Sequence, residues 1–222
     1  MATCTWNGAV SDAWSNGANW TGGTGVGGIP STADDVLNTV TNLTSITVAT
    51  ALFNLNAHGL VDGDVIRIST TGVLPAGVNI YTDYYVVSAA ANTFKLSLTL
   101  GGAAISLSGS QSGTHSFGKV VNIKIDTAAV CNTFVFGAGA NITNDTTVST
   151  SLTPQLSGTL NRGVSIDIDV SASNTTLFTL LGNAAGAAAA TNRLNITDPK
   201  LCKFRGFPRT KLTRINQVGG AL

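Results

Sequence analysis

The sequence contains no glutamate: all eleven acidic residues are aspartate, and charged residues make up 10% of the 222 residues. Glutamate is a good helix former, whereas the abundant Thr, Ser, Asn and Gly favour strands and turns. The composition therefore excludes a mainly helical protein and predicts an all-β fold. The length is enough for one large β domain or two smaller ones, each with a real core.

Cysteine is scarce as well. Cys4, Cys131 and Cys202 are widely spaced and odd in number, which argues against a disulfide framework or a zinc site. We expect buried thiols and no cofactor. The first residues lack the pattern of a signal peptide, and no run of about 18 apolar residues could cross a membrane. We therefore expect synthesis in a cytoplasm without export, and no membrane partner.

Charge is distributed unevenly along the chain. Residues 1–199 carry all the aspartates, whereas residues 200–222 carry six basic residues and no acid. Such a tail favours an anionic partner, either nucleic acid or an acidic protein surface, although a solvated terminal segment is equally compatible. The candidate contact residues in this tail are Lys203, Phe204, Arg205, Phe207, Arg209, Lys211 and Arg214.

Three tryptophans stand close together in a loop-rich opening, at positions 6, 14 and 20. Their simplest interpretation is a cap of indole rings over the end of a β core; a sugar-stacking platform is the functional alternative. The opening, with Pro30 and Asp34-Asp35-Val36, resembles that of repeat-containing β-solenoid proteins at bacterial surfaces. The resemblance implies a solenoid-like or sandwich core, and it implies no activity.

Residues 44–118 interrupt that pattern with short apolar runs and turns every 8 to 12 residues, which predicts an inserted small β-barrel or sandwich module. Its segments include His58-Gly59-Leu60, Asp62-Gly63-Asp64, Thr82 to Val87 and Ser112 to His115. In this order they resemble a module of tailed-bacteriophage virion proteins, notably tail and fibre components. The resemblance implies a virion structural part. We expect Tyr84 and Tyr85 to point to opposite faces, so one is buried and the other is free for an interface.

No motif assembles a reaction, and we predict that the protein is not an enzyme. Asp62 and Asp64 flank a glycine as in a tight turn, and the chain lacks the glutamate that closes an EF-hand calcium loop. Asp167 and Asp169 lie on one face of a predicted strand about 7 Å apart, a spacing compatible with glycosidase carboxylates. Paired acids on a wet face are more often merely solvated.

The predicted organisation is a Trp-rich cap with the first core strands (1–43), the inserted module (44–118), the rest of the core (119–199) and the basic tail (200–222). We predict a capsid decoration, or cement, protein on the outside of a bacteriophage capsid, made in the cytoplasm of the bacterial host. Its expected partners are the major capsid protein and its own copies in a homotrimer, with nucleic acid disfavoured. The alternative is a tail-fibre adhesion module whose exposed Trp14, Trp20, Tyr84 or Tyr85 contacts host glycans.

Overall fold

The computed structural model describes residues 1–38, 40–80, 82–145, 151–160, 165–169, 193–196 and 202–205. The fold is all-β, as predicted, and the short 3-10 turns are the only helical segments among these residues. The chain divides into two compact units: the solenoid unit, Met1–Asn38 with Val121–Leu222, and the module, Thr39–Val120. Residues 44–118, predicted as an insertion, lie within the module, whose bounds are wider at both ends.

The solenoid unit contains two sheets. The strands of the unit are β1 (Ala2–Trp6), β2 (Trp20–Thr21), β3 (Asp34–Asn38), β11 (Val121–Ile125), β12 (Ala128–Phe136), β13 (Ala140–Asn144), β14 (Ser151–Leu160), β15 (Ser165–Asp169), β16 (Arg193–Ile196) and β17 (Cys202–Arg205). One sheet has the order β16-β14-β12-β3-β1-β2 and the other β11-β13-β15-β17. From β11 onward, successive strands therefore alternate between the two sheets.

Every neighbouring pair in these two sheets is parallel except β1 with β2. In a β-solenoid, neighbouring strands of one sheet are parallel, and the chain passes through the other sheet between them. Each coil therefore adds one strand to each sheet, as it does here. Ile123, Ile142, Ile166 and Cys202 hold the same position in successive coils. Alternation of apolar and polar residues along β11 and β13 buries Ile123, Ile125 and Ile142 in the core.

The N-terminal segment covers the first coil. Strand β1 pairs with β3, and β2 folds back antiparallel on β1. Next to β11, Ala13 forms an isolated parallel bridge with Lys124, and the N–H of Trp14 donates to the main-chain oxygen of Lys124. The N-terminal segment thus pairs with β3 in one sheet and with β11 in the other. This pairing covers strand edges to which a strand of another molecule could otherwise bind.

The module is one antiparallel sheet of seven strands. They are β4 (Thr41–Asn42), β5 (Ser45–Thr47), β6 (Leu52–Asn54), β7 (Val65–Thr70), β8 (Asp83–Ala90), β9 (Thr93–Ser97) and β10 (His115–Lys119), in the order β4-β10-β7-β8-β9-β6-β5. The two edge strands, β4 and β5, are consecutive in the chain with only Leu43 and Thr44 between them. One short segment therefore occupies both edges of a curled sheet, and the strands do not form a closed barrel.

A separate hydrophobic core fills the module. Its largest fully buried side chains include Phe53, Ile66, Tyr84 and Phe94. Phe94 stacks on Phe53 with ring centroids 5.5 Å apart and meets Phe117 edge to face. Because Phe53 and Phe94 are also register partners between β6 and β9, sheet pairing and core packing reinforce each other.

The segment predicted as a basic tail, residues 200–222, contains a strand near its start. Cys202–Arg205 is a strand, β17, and pairs in parallel with β15. The first part of the presumed tail is therefore part of the β core. The alternating sequence around Ile166 and Ile168 is a strand as predicted, whereas the Ala-rich stretch 182–191 lies outside the described residues.

Candidate functional site

The three indole rings form a buried cluster. Trp14 is fully buried, Trp20 is 6% exposed, and Trp6 and Trp14 each meet Trp20 edge to face at centroid distances of 4.7 and 4.6 Å. They pack against Cys4 and Val36 of the solenoid core. Our expectation that Trp14 and Trp20 are exposed interface residues is wrong, because these rings fill the space inside the first coil. The capping interpretation of the same residues agrees with this packing.

Asparagine side chains hold the loop that carries the tryptophans. The buried Asn19 accepts hydrogen bonds from the N–H groups of Val10 and Ser11 and donates to the main-chain oxygen of Ala13. Asn16 caps the following turn by accepting from the N–H of Ala18. These bonds supply partners for backbone groups that leave the strand ladders, which such a loop requires when it is packed against a core.

A carboxylate anchors the glycine-rich part of the same loop. Asp34 has no exposed surface and accepts hydrogen bonds from the N–H groups of Thr24 and Ser31 and from the hydroxyl of Thr24, at 2.8 to 2.9 Å. Burial alone would raise the pKa of Asp34, but these hydrogen bonds outweigh it and lower the pKa below its ordinary 3.8. The group is a structural anchor, held ionised.

The adjacent tyrosines differ in burial, as predicted. Tyr84 is 1% exposed, and its hydroxyl oxygen accepts a hydrogen bond from the N–H of Asn79 at 2.8 Å. Tyr85 is half-buried and pairs with Val65 and Ser97 across the sheet. Tyr84 is therefore excluded as an exposed contact residue, and Tyr85 is the remaining interface candidate of the four aromatic residues.

The Asp62-Gly63-Asp64 segment is a tight turn. Gly63 has a φ of 95°, a conformation that glycine adopts without strain. A side-chain oxygen of Asp64 accepts from the N–H of Val61, and one of Asp62 accepts from the N–H of Ala89. Lys119 completes the arrangement with an ion pair of 2.9 Å to Asp64. Both carboxylates hold loops in place, in agreement with the sequence interpretation.

His58 borders a shallow cleft of about 330 Å³ that Asp62 and Ala89 to Ala91 also line. Its Nδ1 accepts a hydrogen bond from the N–H of Leu60, and its Nε2–H donates to the main-chain oxygen of Thr93. The ring packs edge to face on Phe94. The hydrogen bonds at both ring nitrogens and the contact with Phe94 hold the ring in place, so His58 helps to fix the loop beside the cleft.

The second histidine is buried at the start of strand β10. His115 is 7% exposed, and its Nδ1 lies 2.8 Å from the hydroxyl oxygen of Thr70, its register partner on β7. That hydroxyl oxygen also accepts a hydrogen bond from the N–H of Gly72. Burial lowers the pKa of His115 below its ordinary 6.5.

Sequence reasoning missed three exposed apolar side chains in the segments that precede β7 and follow β9 of the module. Val61 is 63% exposed, Leu98 is 62% exposed and Leu100 is 70% exposed. A Cβ placed on Gly63 would come within 3.4 Å of Leu100, so this leucine lies beside the Val61–Asp64 turn. We call these three residues the apolar rim. Two leucines around Thr99, directly before Gly101-Gly102, are the sequence signal that could have found it.

The basic candidate residues are only partly described. Lys203, Phe204 and Arg205 lie on β17, where they pair in register with Asp167, Ile168 and Asp169 of β15. Phe207, Arg209, Lys211 and Arg214 lie outside the described residues. Lys203 and Arg205 therefore occupy positions next to the two aspartates that we considered as a carboxylate pair. The register therefore alternates acidic and basic positions between these two neighbouring parallel strands.

Two classes of feature are missing from the residues that the structure describes. Those residues contain no group of three His, Cys or Asp side chains that could hold a metal ion. Their helical segments include none with the length and apolar character needed to span a bilayer. Comparisons with protein-family models, with curated proteins and with solved structures found no match.

Proposed function

We propose that this chain is a structural protein of a bacteriophage virion, and specifically a capsid decoration protein. The proposal depends mainly on what the polar residues of the phage-like segment do. His58, Asp62 and Asp64 all accept hydrogen bonds from backbone N–H groups. These side chains hold loops, and in this proposal the module acts as a rigid surface for a partner. The resemblance of residues 44–118 to virion proteins supports the same function.

The apolar rim is the proposed contact of the module with the shell. Exposed leucine and valine side chains gain free energy when a partner removes them from water, by roughly 25 cal/mol per Å² of apolar surface. Asp64, in the turn that follows Val61, already forms an ion pair with Lys119. Contact with the shell at this place therefore needs no opposite charge from the capsid protein. In this proposal the protein binds across capsid subunits, as a homotrimer, and stabilises the assembled shell by mass action.

The basic segment is the second proposed contact. Lys203 and Arg205 on β17 are register partners of Asp167 and Asp169. In this proposal the basic set that meets an acidic capsid surface continues with Arg209, Lys211 and Arg214. The adhesion alternative loses most of its support, because Trp14, Trp20 and Tyr84 are buried. Of the aromatic residues proposed to stack on glycans, Tyr85 alone is half-buried.

Binding to capsids tests the proposal. Purified protein is mixed with assembled shells that lack it and, separately, with unassembled capsid protein. We expect saturable binding to the shells and a higher unfolding temperature of the shells, with little binding to free subunits. Absence of the chain from purified particles, or binding to host glycans without binding to shells, would contradict it.

A matched pair of variants locates the contact. Leu98→Ser with Leu100→Ser alters the apolar rim, and Val73→Ser alters an apolar residue of the module that is 60% exposed elsewhere. We expect the rim variant to bind shells about tenfold more weakly, equivalent to about 1.4 kcal/mol. The Val73 variant should bind normally. Equal binding by both variants would exclude the rim as the contact.

A further inference from the structure

The connection between β12 and β13 shows how short a coil connection of this solenoid can be. Strand β12 ends at Phe136 and β13 begins at Ala140, so three residues, Gly137 to Gly139, join one sheet to the other. All three residues are buried. The preceding coil makes the same connection, from β3 to β11, through residues 39–120.

The ends of β3 and β11 lie against the two ends of that three-residue turn. Asn38 is the register partner of Phe136, and Val121 is the register partner of Ala140. The N–H of Gly137 donates to the main-chain oxygen of Asn38 at 2.7 Å, and the N–H of Val121 donates to the main-chain oxygen of Gly139 at 3.0 Å. The gap from Asn38 to Val121 therefore parallels the gap from Phe136 to Ala140, which three residues span.

We propose that residues 39–120 are an autonomously folding module grafted into the solenoid in place of a three-residue turn, and that the solenoid is complete without it. This inference rests on the fold and is independent of the proposed function. It identifies the β3–β11 connection as the point at which the solenoid accepts and displays a separate domain.

The internal structure of the module supports autonomy. Its first and last strands are antiparallel neighbours, with Thr41 opposite Phe117 and Asn42 opposite Ser116. Opposed residues of an antiparallel pair have Cα atoms about 4.5–5.5 Å apart, so the chain enters and leaves the module side by side. A domain inserted into a tight turn needs this geometry. The module also has its own core around Ile66 and Phe94.

Aromatic residues report on each unit separately. All three tryptophans lie within residues 6–20 of the solenoid unit, and all three tyrosines lie within residues 81–85 of the module. Indole fluorescence therefore follows the unfolding of the solenoid, and the near-ultraviolet signal of tyrosine follows the module. The full-length protein can be tested without labels.

The first test replaces residues 39–120 of the chain by Gly-Ala-Gly. We expect a folded protein whose indole-detected unfolding midpoint lies within about 4 °C of that of the full-length chain, a shift that corresponds to a small change in stability. The matched control replaces a segment of the same length, residues 36–117, by the same tripeptide. It therefore removes Val36, which is fully buried. This control should lose the cooperative transition. Equal loss in both variants would contradict the proposal.

The second test uses the full-length chain, so it does not depend on whether a shortened chain folds. Ile66→Ala creates a cavity in the module core and Ile123→Ala creates one in the solenoid core; both isoleucines are fully buried. We expect Ile66→Ala to speed amide hydrogen exchange about tenfold or more in residues 40–119 and less than about twofold around Phe134, with the reverse for Ile123→Ala. Comparable acceleration in both units by either variant would overturn the proposal.

Discussion

Trp20 donates its indole N–H to the main-chain oxygen of Trp14 at 2.9 Å, and the two rings meet edge to face with centroids 4.6 Å apart. The bond joins two points of the N-terminal loop that are six residues apart, over the first coil of the solenoid. Trp14 also donates its own backbone N–H to Lys124 of β11. Trp14 therefore links the two ends of this part of the loop, through Trp20, to β11 at the edge of the second sheet.

Removal of the Trp14 ring should weaken the solenoid strongly. Trp14 is fully buried, and truncation of a buried tryptophan to alanine costs about 3–5 kcal/mol through lost packing and the cavity it leaves. We expect this loss for Trp14→Ala in denaturant unfolding followed by the remaining indole fluorescence. Val26→Ala, at a residue 96% exposed in the same segment, should change stability by less than about 0.5 kcal/mol. Similar losses for both variants would contradict the cap.

Local signals in the sequence predicted local structure well. The Asp62-Gly63-Asp64 turn and the strand at Ser165–Asp169 follow from turn chemistry and from alternation of apolar and polar residues. The pairing of Phe134 with Val36 could not be predicted in this way. The whole module separates these two residues in the sequence, and no short-range pattern specifies which coils are neighbours.

Burial of the aromatic residues was harder to predict. A tryptophan among Asn, Ser and Gly is compatible with an exposed platform or a buried cap, and the decision depends on whether polar groups around it find partners. Asn19 supplies partners for the backbone groups of Val10, Ser11 and Ala13 within the loop, and sequence spacing does not show these contacts. Leu98 and Leu100 continue the apolar/polar alternation of β9 beyond the end of that strand at Ser97, where the pattern no longer corresponds to burial.

Asp34 should make the solenoid sensitive to acid. Its folded-state pKa is lower than its unfolded value because Thr24 and Ser31 donate to the carboxylate. The stabilisation is therefore complete above the unfolded pKa, near pH 4, and is lost as the pH falls through the lower folded pKa. Asp34→Asn should lower stability at neutral pH by about 3 kcal/mol and remove this part of the acid dependence in indole-detected unfolding. An unchanged acid profile in the variant would rule out the anchor.

His115 should make the module less stable in mild acid. Because burial lowers its pKa, the unfolded chain binds a proton at a higher pH than the folded module does. The stability is complete above about pH 6.5 and decreases as the pH falls toward the folded pKa. We expect the tyrosine-detected midpoint to fall between about pH 7 and pH 5, and to fall less in His115→Asn.

The solenoid unit provides the internal control for this experiment, since both histidines of the chain, His58 and His115, lie in the module. The indole-detected transition should change little over the same pH interval. A parallel fall of both transitions, unaffected by His115→Asn, would show that the pH dependence has another source.

Cys4 and Cys131 should resist thiol reagents in the folded protein. Both are fully buried, and burial raises the pKa of Cys4 to about 12 and that of Cys131 further still. Thiolate is the reactive form, so modification requires unfolding of the solenoid. In a Cys202→Ser background, we expect labelling to be accelerated by Ile123→Ala and not by Ile66→Ala. Fast labelling of the folded protein would contradict the burial of these thiols.

The register of β15 with β17 gives a test of the last described coil. Asp167 is the register partner of Lys203, and Asp169 is the register partner of Arg205, on parallel neighbouring strands. In antiparallel sheets an oppositely charged cross-strand pair contributes about 0.2–1 kcal/mol, whereas like charges destabilise, and we expect the same sign here. Asp167→Lys should therefore lower the stability of the solenoid by up to about 1 kcal/mol in denaturant unfolding. Adding Lys203→Asp restores opposite charges at the two positions, and the double variant should recover most of the loss. If the effects of the two substitutions are instead additive, Asp167 and Lys203 do not interact, and Lys203 is free to contact a partner.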